Sequence, residues 1–264
     1  MKIGWIGLGL IGTQMVKRAL AAGHQVSVYA RGKGLAEIEA AGAGISSHYS
    51  DLAADNDVFA MCVFNDVQMR EVLFDRGALA AMRPGSTLVI HTTGSPDLAR
   101  EIGKRAPDGV AVLDATFSGG PAQVAAGELT LMIGGEPETI ECARPLLQTY
   151  AQRIHHVGTL GHGQMLKLLN NLLFAANLQN VAEILRIAEQ QGFDTSVCAG
   201  VFQDCSGASF AASLFRAKAP VDAVLTRTRP YLVKDVATAL SCAAEAGIDT
   251  SAFASTAAYF KQVD

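Results

Sequence analysis

The sequence predicts a doubly wound α/β domain followed by an all-helical domain, on three observations. Short β-branched or apolar runs alternate with helical stretches from Lys2 to about Val157. A glycine-rich turn, Gly7-Leu8-Gly9-Leu10-Ile11-Gly12, joins the first such run to the first helix. After Gly158 the strand-like alternation stops and helical periodicity takes over. The first pattern is that of parallel strands joined by crossover helices, and the last is that of packed helices.

Taken in order, the predicted strands are Lys2 to Ile6, Gln25 to Tyr29, Val58 to Val63, Thr87 to Ile90, Val110 to Asp114 and Leu129 to Ile133. Helices are expected from near Leu10, Leu35, Val67 and Pro96, the last with Ser95 as N-cap and the proline at the first helical position. A single long helix should run from about Gly163 to Gln191 and close on Gly192. Residues 1–159 then form the sheet domain and residues 160–264 the helical one. So long a helix on so small a domain points to burial in a subunit interface, so a homodimer or homotetramer is expected.

Bulk properties narrow the function. The 264 residues are half apolar, enough for a large core, and 21 basic against 25 acidic residues give a net charge of −4. No cationic face of the kind that binds nucleic acid stands out, and no apolar run reaches the roughly 18 residues of a membrane span. The N-terminus reads as a strand and turn and not as a leader, because its glycines interrupt any apolar core. Cys62, Cys142, Cys198, Cys205 and Cys242 include no C-x-x-C pair, so reduced thiols in a cytoplasm are expected and no metal site is.

The glycine turn carries the first chemistry. Gly7 permits the tight turn, Gly9 the approach of a pyrophosphate to the backbone, and Gly12 close packing of helix on strand. The amides of Leu8, Leu10 and Ile11 join them at a helix N-terminus, which favours anions. At the end of the second strand, NAD enzymes usually place a carboxylate against the ribose 2′-hydroxyl. Here Val28-Tyr29-Ala30-Arg31-Gly32-Lys33 offers none, and Arg31 and Lys33 suit a 2′-phosphate instead. The expected cofactor is NADP(H).

Further along, Asp114-Ala115-Thr116-Phe117-Ser118-Gly119-Gly120 ends a strand with a hydroxyl and two glycine amides suited to a carboxylate. In Gly161-His162-Gly163-Gln164-Met165-Leu166-Lys167-Leu168-Leu169-Asn170-Asn171, the Lys167 and Asn171 side chains share a helix face, with Leu166, Leu169 and Leu173 on another. Pattern alone leaves open a lysine that snorkels to solvent. His162 reads as a turn residue, and Glu183 as a candidate for burial beside Asn170, Asn177 and Asn180.

Together these segments resemble the β-hydroxyacid dehydrogenase family, whose signatures are GLGxMG, an STxSP-like loop, DAPVSGG followed by GTLTxMxGG, GxGxxxKxxNN and a later KD pair. Here they stand, in that order, at Gly7 to Gly12, Thr92 to Pro96, Asp114 to Gly120, Gly127 to Gly135, Gly161 to Asn171 and Lys234-Asp235. The resemblance implies hydride transfer between a nicotinamide and a small 3-hydroxy acid or its semialdehyde. It implies Lys167 as general acid and base, its pKa lowered among leucines. Ser118, Gly119, Gly120, Asn171 and Lys234 would hold the substrate. Val63, Phe64, Thr93 and Lys234 would border the cofactor.

The chain departs from the family at Ile11, Thr116 and Glu128, which are packing or turn changes. It departs again at Arg227 and Tyr231, where Phe and Leu are frequent, and it stops at Asp264, short of the usual tail. The last two bear on how the substrate is enclosed. Imine reductases share this architecture but usually carry Asp or Tyr where Lys167 stands. A non-catalytic cofactor-binding homologue is the remaining alternative, and the presence of the lysine argues against both.

Overall fold

A computed structural model describes residues 1–29, 35–217 and 220–261. The chain divides into two compact units, Met1–Lys167 and Leu168–Asp264. The first contains an eight-stranded sheet of order β3-β2-β1-β4-β5-β6-β7-β8. Its strands are β1 Lys2–Ile6, β2 Gln25–Tyr29, β3 Gly44–Ile45, β4 Val58–Met61, β5 Thr87–Ile90, β6 Ala111–Ser118, β7 Leu129–Gly134 and β8 Ala151–Gly158.

Between the strands lie α1 Leu10–Ala21, α2 Leu35–Ala40, α3 Tyr49–Ala54, α4 Asp66–Arg70 with a π-helical continuation over Glu71–Asp75, α5 Ala78–Ala81, α6 Pro96–Arg105, α7 Pro121–Ala126 and α8 Pro137–Leu147. Successive residues of a strand point to opposite faces, and two cores follow. Ile3, Trp5, Val58, Ala60 and Val89 belong to one, and Ile6, Phe59, Met61, Leu88 and Ile90 to the other.

The sheet is not parallel throughout, as the strand pattern had suggested. β7 runs antiparallel to β6, and β8 lies parallel to β7 on the outer edge. A strand's pattern of buried and exposed positions carries no direction, so this turn of the chain leaves no mark on the sequence. β3 and β8 also escape the sequence reading. β3 has two residues, and β8 exposes Gln152, Arg153, His155 and His156, so neither shows an apolar run.

α9 spans His162–Gln190. Gly192 ends it as the sequence predicts, with φ +83°, the Gly192 N–H donated to Glu189 and the Phe193 N–H to Ala188. In the second unit α9 is joined by α10 Thr195–Gln203, α11 Phe210–Ser213, α12 Val221–Glu245, a 3₁₀ turn over Ser251–Phe253 and α13 Ala254–Tyr259. Its core uses Leu168, Leu172, Ala175, Leu178, Ala182 and Leu185 of α9.

Leu166, Leu169 and Leu173 occupy the other side of α9 and are 41%, 50% and 59% exposed, followed along the same stripe by Ile184 and Ile187 at 50% and 57%. Glu183 is exposed and pairs with Arg186, so its expected burial is not found. Asn170 donates to Asn171 on its own helix. No helix among the described residues is long and apolar enough to cross a membrane.

Candidate active site

The strands β1, β2, β4, β5 and β6 are parallel and end on one edge of the sheet, and the strand order reverses between β1 and β4. In open α/β sheets such a reversal is the usual ligand position, because the connections after the two strands run to opposite faces. The glycine turn lies there, and its three glycines have three different reasons.

Gly7 has φ +98°, and a Cβ on it would stand 2.0 Å from the Cys62 carbonyl oxygen at the end of β4. Gly12 is held by contact, since a Cβ there would stand 2.0 Å from the Gly7 oxygen. Gly9 has neither constraint. Its φ of −74° and ψ of −174° suit any residue, and a Cβ would meet nothing within 4 Å.

Gly9 caps α1 without a side chain, and the first turn of α1 contains no acidic residue. Leu8 and Ile11 turn their side chains onto the apolar core, which leaves this turn's backbone to present its amides. The residues present therefore fit a dinucleotide pyrophosphate. Arg31 and Lys33, expected at its 2′-phosphate, lie outside the described residues.

The next two loops border the same edge. Val63 donates its N–H to Thr92 Oγ1 at 2.9 Å, and Phe64, 57% exposed, donates its own to Gln68. Asp66 accepts the Ser95 N–H, so the loops after β4 and β5 are tied together. Thr93 sits half-buried in that second loop. Ser95 caps α6, accepting the Asp97 N–H at 3.1 Å, as the sequence predicts.

β6 pairs with β5 as far as Ile90↔Asp114 and from there to Ser118 is paired with β7. Ser118 and Gly120 are half-buried at its end, and Gly119 is exposed. The Gly120 N–H is donated to Gln123 Oε1 at 2.9 Å, so a substrate carboxylate at that amide would have to displace the glutamine.

Three buried polar side chains that the sequence reading left without a role fix the start of α9. Asp114 accepts the Gly161 N–H at 2.9 Å on one oxygen and the Gln164 N–H at 2.6 Å on the other. It thus satisfies amides that a helix N-terminus leaves over. Burial outweighs those bonds and pushes its carboxyl up to about 6.

Thr116 Oγ1 lies 2.9 Å from the Gly163 oxygen and 3.2 Å from that of Met132. Gln164 holds both Gly94 and Thr92 of the loop after β5. The glycines of the motif serve this packing. A Cβ on Gly163 would stand 2.4 Å from the Asp114 oxygen, and one on Gly134 would stand 2.3 Å from Oδ1 of Asp114. The signal available in the sequence was an acid and a glutamine within apolar runs.

Lys167, half-buried, lies on the turn so fixed. Leu166 and Leu169, expected to desolvate it, are exposed in the single chain, and Leu168 is the leucine that is buried. His162 bonds Thr159 at the turn, as predicted for it.

In the second unit, buried Asn171 donates to Asp235 Oδ2 at 2.6 Å, while Lys234 Nζ pairs with Oδ1 at 3.1 Å. Asn171 is thus already bonded to an acid, Asp235, that the sequence reading noticed only as Lys234's neighbour. The exposed Tyr231 and Arg227 stand earlier on the same helix.

Residues 2–158 match the family model of the NAD binding domain of 6-phosphogluconate dehydrogenase. Residues 161–264 match that of the NAD-binding domain of NADP-dependent 3-hydroxyisobutyrate dehydrogenase. A probable 3-hydroxyisobutyrate dehydrogenase-like 3, mitochondrial, from Arabidopsis thaliana is 35% identical over 256 residues, covering 95% of this chain and 79% of that one. An NAD-dependent L-serine dehydrogenase from Pseudomonas aeruginosa is 34% identical over 218 residues, covering 81% and 73%.

Among solved structures, Mycobacterium tuberculosis 3-hydroxyisobutyrate dehydrogenase with L-serine superposes with TM-score 0.87 at 28% identity, covering 98% of this chain and 92% of that one. A Streptomyces aurantiacus imine reductase, at 18% identity and TM-score 0.71, covering 98% of this chain and 93% of that one, shares the fold alone. The matches make the chain an oxidoreductase that binds a nicotinamide dinucleotide, and they cover both its sheet and its helices. It belongs to the β-hydroxyacid dehydrogenase family.

Proposed function

We propose that this protein is an NADP(H)-dependent dehydrogenase or reductase of a small 3-hydroxy acid and its semialdehyde, with Lys167 as general acid and base. The observation that carries the reading is the start of α9. Asp114, Thr116 and Gln164 spend buried polar groups on fixing the one turn that bears the lysine. When bound, the nicotinamide supplies or accepts the hydride. Lys167 would hold a proton at Nζ, deliver it to the carbonyl oxygen in reduction, and take it from the hydroxyl in oxidation.

Residues 1–159 are the proposed cofactor domain and residues 160–264 the proposed substrate and dimerisation domain. We assign Ser118 and the amides of Gly119 and Gly120 to the substrate carboxylate, the last in exchange for its bond to Gln123, and Asn171 and Lys234 to the orientation of the substrate. L-serine, named with two of the relatives, is itself a 3-hydroxy acid and belongs in the substrate set. We assign the exposed stripe of Leu169, Leu173, Ile184 and Ile187 to a homodimer interface. Light scattering that returns a monomer would remove that assignment.

The test is a panel of glyoxylate, succinic semialdehyde, tartronate semialdehyde and methylmalonate semialdehyde with NADPH and NADH. L-serine and 3-hydroxyisobutyrate are run in the oxidative direction, and a cyclic imine serves as the competing chemistry. Lys167→Ala should lower kcat by about 10²–10⁴ while leaving cofactor affinity in place. Arg31→Asp should weaken NADPH more than NADH. Reduction of the imine alone, or a Lys167→Ala variant as fast as wild type, would overturn the reading.

A further inference from the structure

We propose that Gln164 is a positioning residue that ties the turn bearing Lys167 to the loop after β5, and so sets how the general acid stands against the cofactor-bordering backbone. The proposal rests on the dehydrogenase reading given above. Gln164 is fully buried, although it lies in the first turn of a helix. A buried amide is costly unless its donors and acceptor are matched. Here the match is to one loop at two points: Oε1 accepts the Gly94 N–H at 2.8 Å, and Nε2 donates to the Thr92 oxygen at 2.8 Å.

One partner is a donor and the other an acceptor, so only one orientation of the amide serves both. The side chain therefore reads the loop as a neighbouring strand would. The two anchored residues flank Thr93, which is assigned to the nicotinamide pocket.

Each side of this link is itself immobilised. Asp114 and Thr116 clamp the helix turn onto β6, and Asp66 and the Val63 amide hold the loop. The Gln164 side chain joins two braced elements, and Lys167 follows it within one helical turn. A residue kept only to fill space would need no amide here. An apolar replacement leaves the Gly94 N–H and the Thr92 carbonyl, both buried, without their partner.

Two variants test the link. Gln164→Met keeps the volume and removes both bonds. A displacement of about 1 Å costs on the order of a hundredfold in rate, and that fall in kcat is expected, with NADPH affinity by fluorescence titration within about threefold of wild type.

Gln164→Glu keeps the acceptor for Gly94 but needs a proton to face the Thr92 carbonyl. Asp66 beside Gly94 and, above about pH 6, the ionised Asp114 on the Gln164 N–H add negative charge nearby, which favours that proton further. Its kcat should therefore approach wild type at acidic pH and fall as pH rises, and amide exchange at Gly94 should quicken over the same range.

If wild type is active and both variants share its kcat and pH profile, Gln164 positions nothing. If activity, cofactor affinity and melting temperature fall together in both variants, the role is only structural and the proposal fails. A wild type that turns over no substrate overturns the dehydrogenase reading, and the proposal with it. That outcome is recognised before any variant is made.

Discussion

Gly9→Ala should separate folding from cofactor binding, because the three glycines of the first loop are glycines for different reasons. The added methyl meets nothing within 4 Å, and the backbone is already extended, so no strain arises in the chain itself. Alanine is a poorer N-cap than glycine by about 0.5–1 kcal/mol, whereas loss of freedom in the unfolded chain returns about 0.4–1 kcal/mol. Stability should stay within about 0.5 kcal/mol, a shift of roughly 1–2 °C in Tm for a chain of this size.

Gly12→Ala places its methyl 2.0 Å from the Gly7 oxygen, and overpacking of this kind costs about 1–3 kcal/mol even after relaxation. Gly7→Ala adds the strain of φ +98° to a 2.0 Å overlap with Cys62. Thermal melts and NADPH fluorescence titrations on the three variants give the comparison. Gly9→Ala should melt like wild type yet bind NADPH at least tenfold more weakly, about 1.4 kcal/mol. A variant that binds NADPH as tightly as wild type would show that nothing outside the chain requires the glycine, and the pyrophosphate would have to lie elsewhere.

Acid should act on two buried groups with opposite sign. Burial holds the His91 imidazole, bonded to the Ala115 oxygen and the Tyr150 hydroxyl, down at about 4 against an ordinary 6.5. The unfolded chain therefore takes up that proton first, and stability falls as pH drops below 6.5, by about 3 kcal/mol once pH 4 is passed. Asp114, raised from 3.8 to about 6, binds its proton first in the folded state, so its penalty is full above pH 6 and is relieved toward 3.8.

Between pH 7 and 5 the histidine loses about 2 kcal/mol and the aspartate regains about 1 kcal/mol, so wild type should change little. His91→Gln should instead gain about 2 kcal/mol relative to wild type over that interval in urea unfolding, and parallel curves would contradict the assignment. In the helical unit, a double-mutant cycle on Asn171→Ala and Asp235→Ala should return a coupling of about 1–3 kcal/mol, as for a buried hydrogen bond to a charged group. Additive losses would mean that the pair does not hold α9 to α12.

Much of the sheet was legible because its strands are short apolar runs with turn residues at their ends. β1, β2 and β5 fall where the sequence places them, residue for residue. The helix that carries Lys167 was legible too, with Gly192 as its stop. What was not legible is which apolar side of that helix is buried. Leu166, Leu169 and Leu173 and, equally, Leu168, Leu172 and Ala175 recur at steps of three and four, and only the packing of α10, α11 and α12 distinguishes them.

The candidate site divides along a similar line. Its glycines, lysine and asparagine were found because they form recognisable strings, but a string does not say what each member touches. Asp114 and Gln164 stand 50 positions apart in the chain and meet only because the middle of β6 lies beside the start of α9. Asn171 and Asp235 are 64 apart and meet across two helices.

A polar residue inside an apolar run announces that it has a partner, since burial without one is costly. The identity of that partner depends on topology. The groups read most easily were those proposed to face a ligand, where the chemistry would constrain the residue type. The groups that hold them in place are constrained by the fold, and they became readable only once strand order and helix contacts were known.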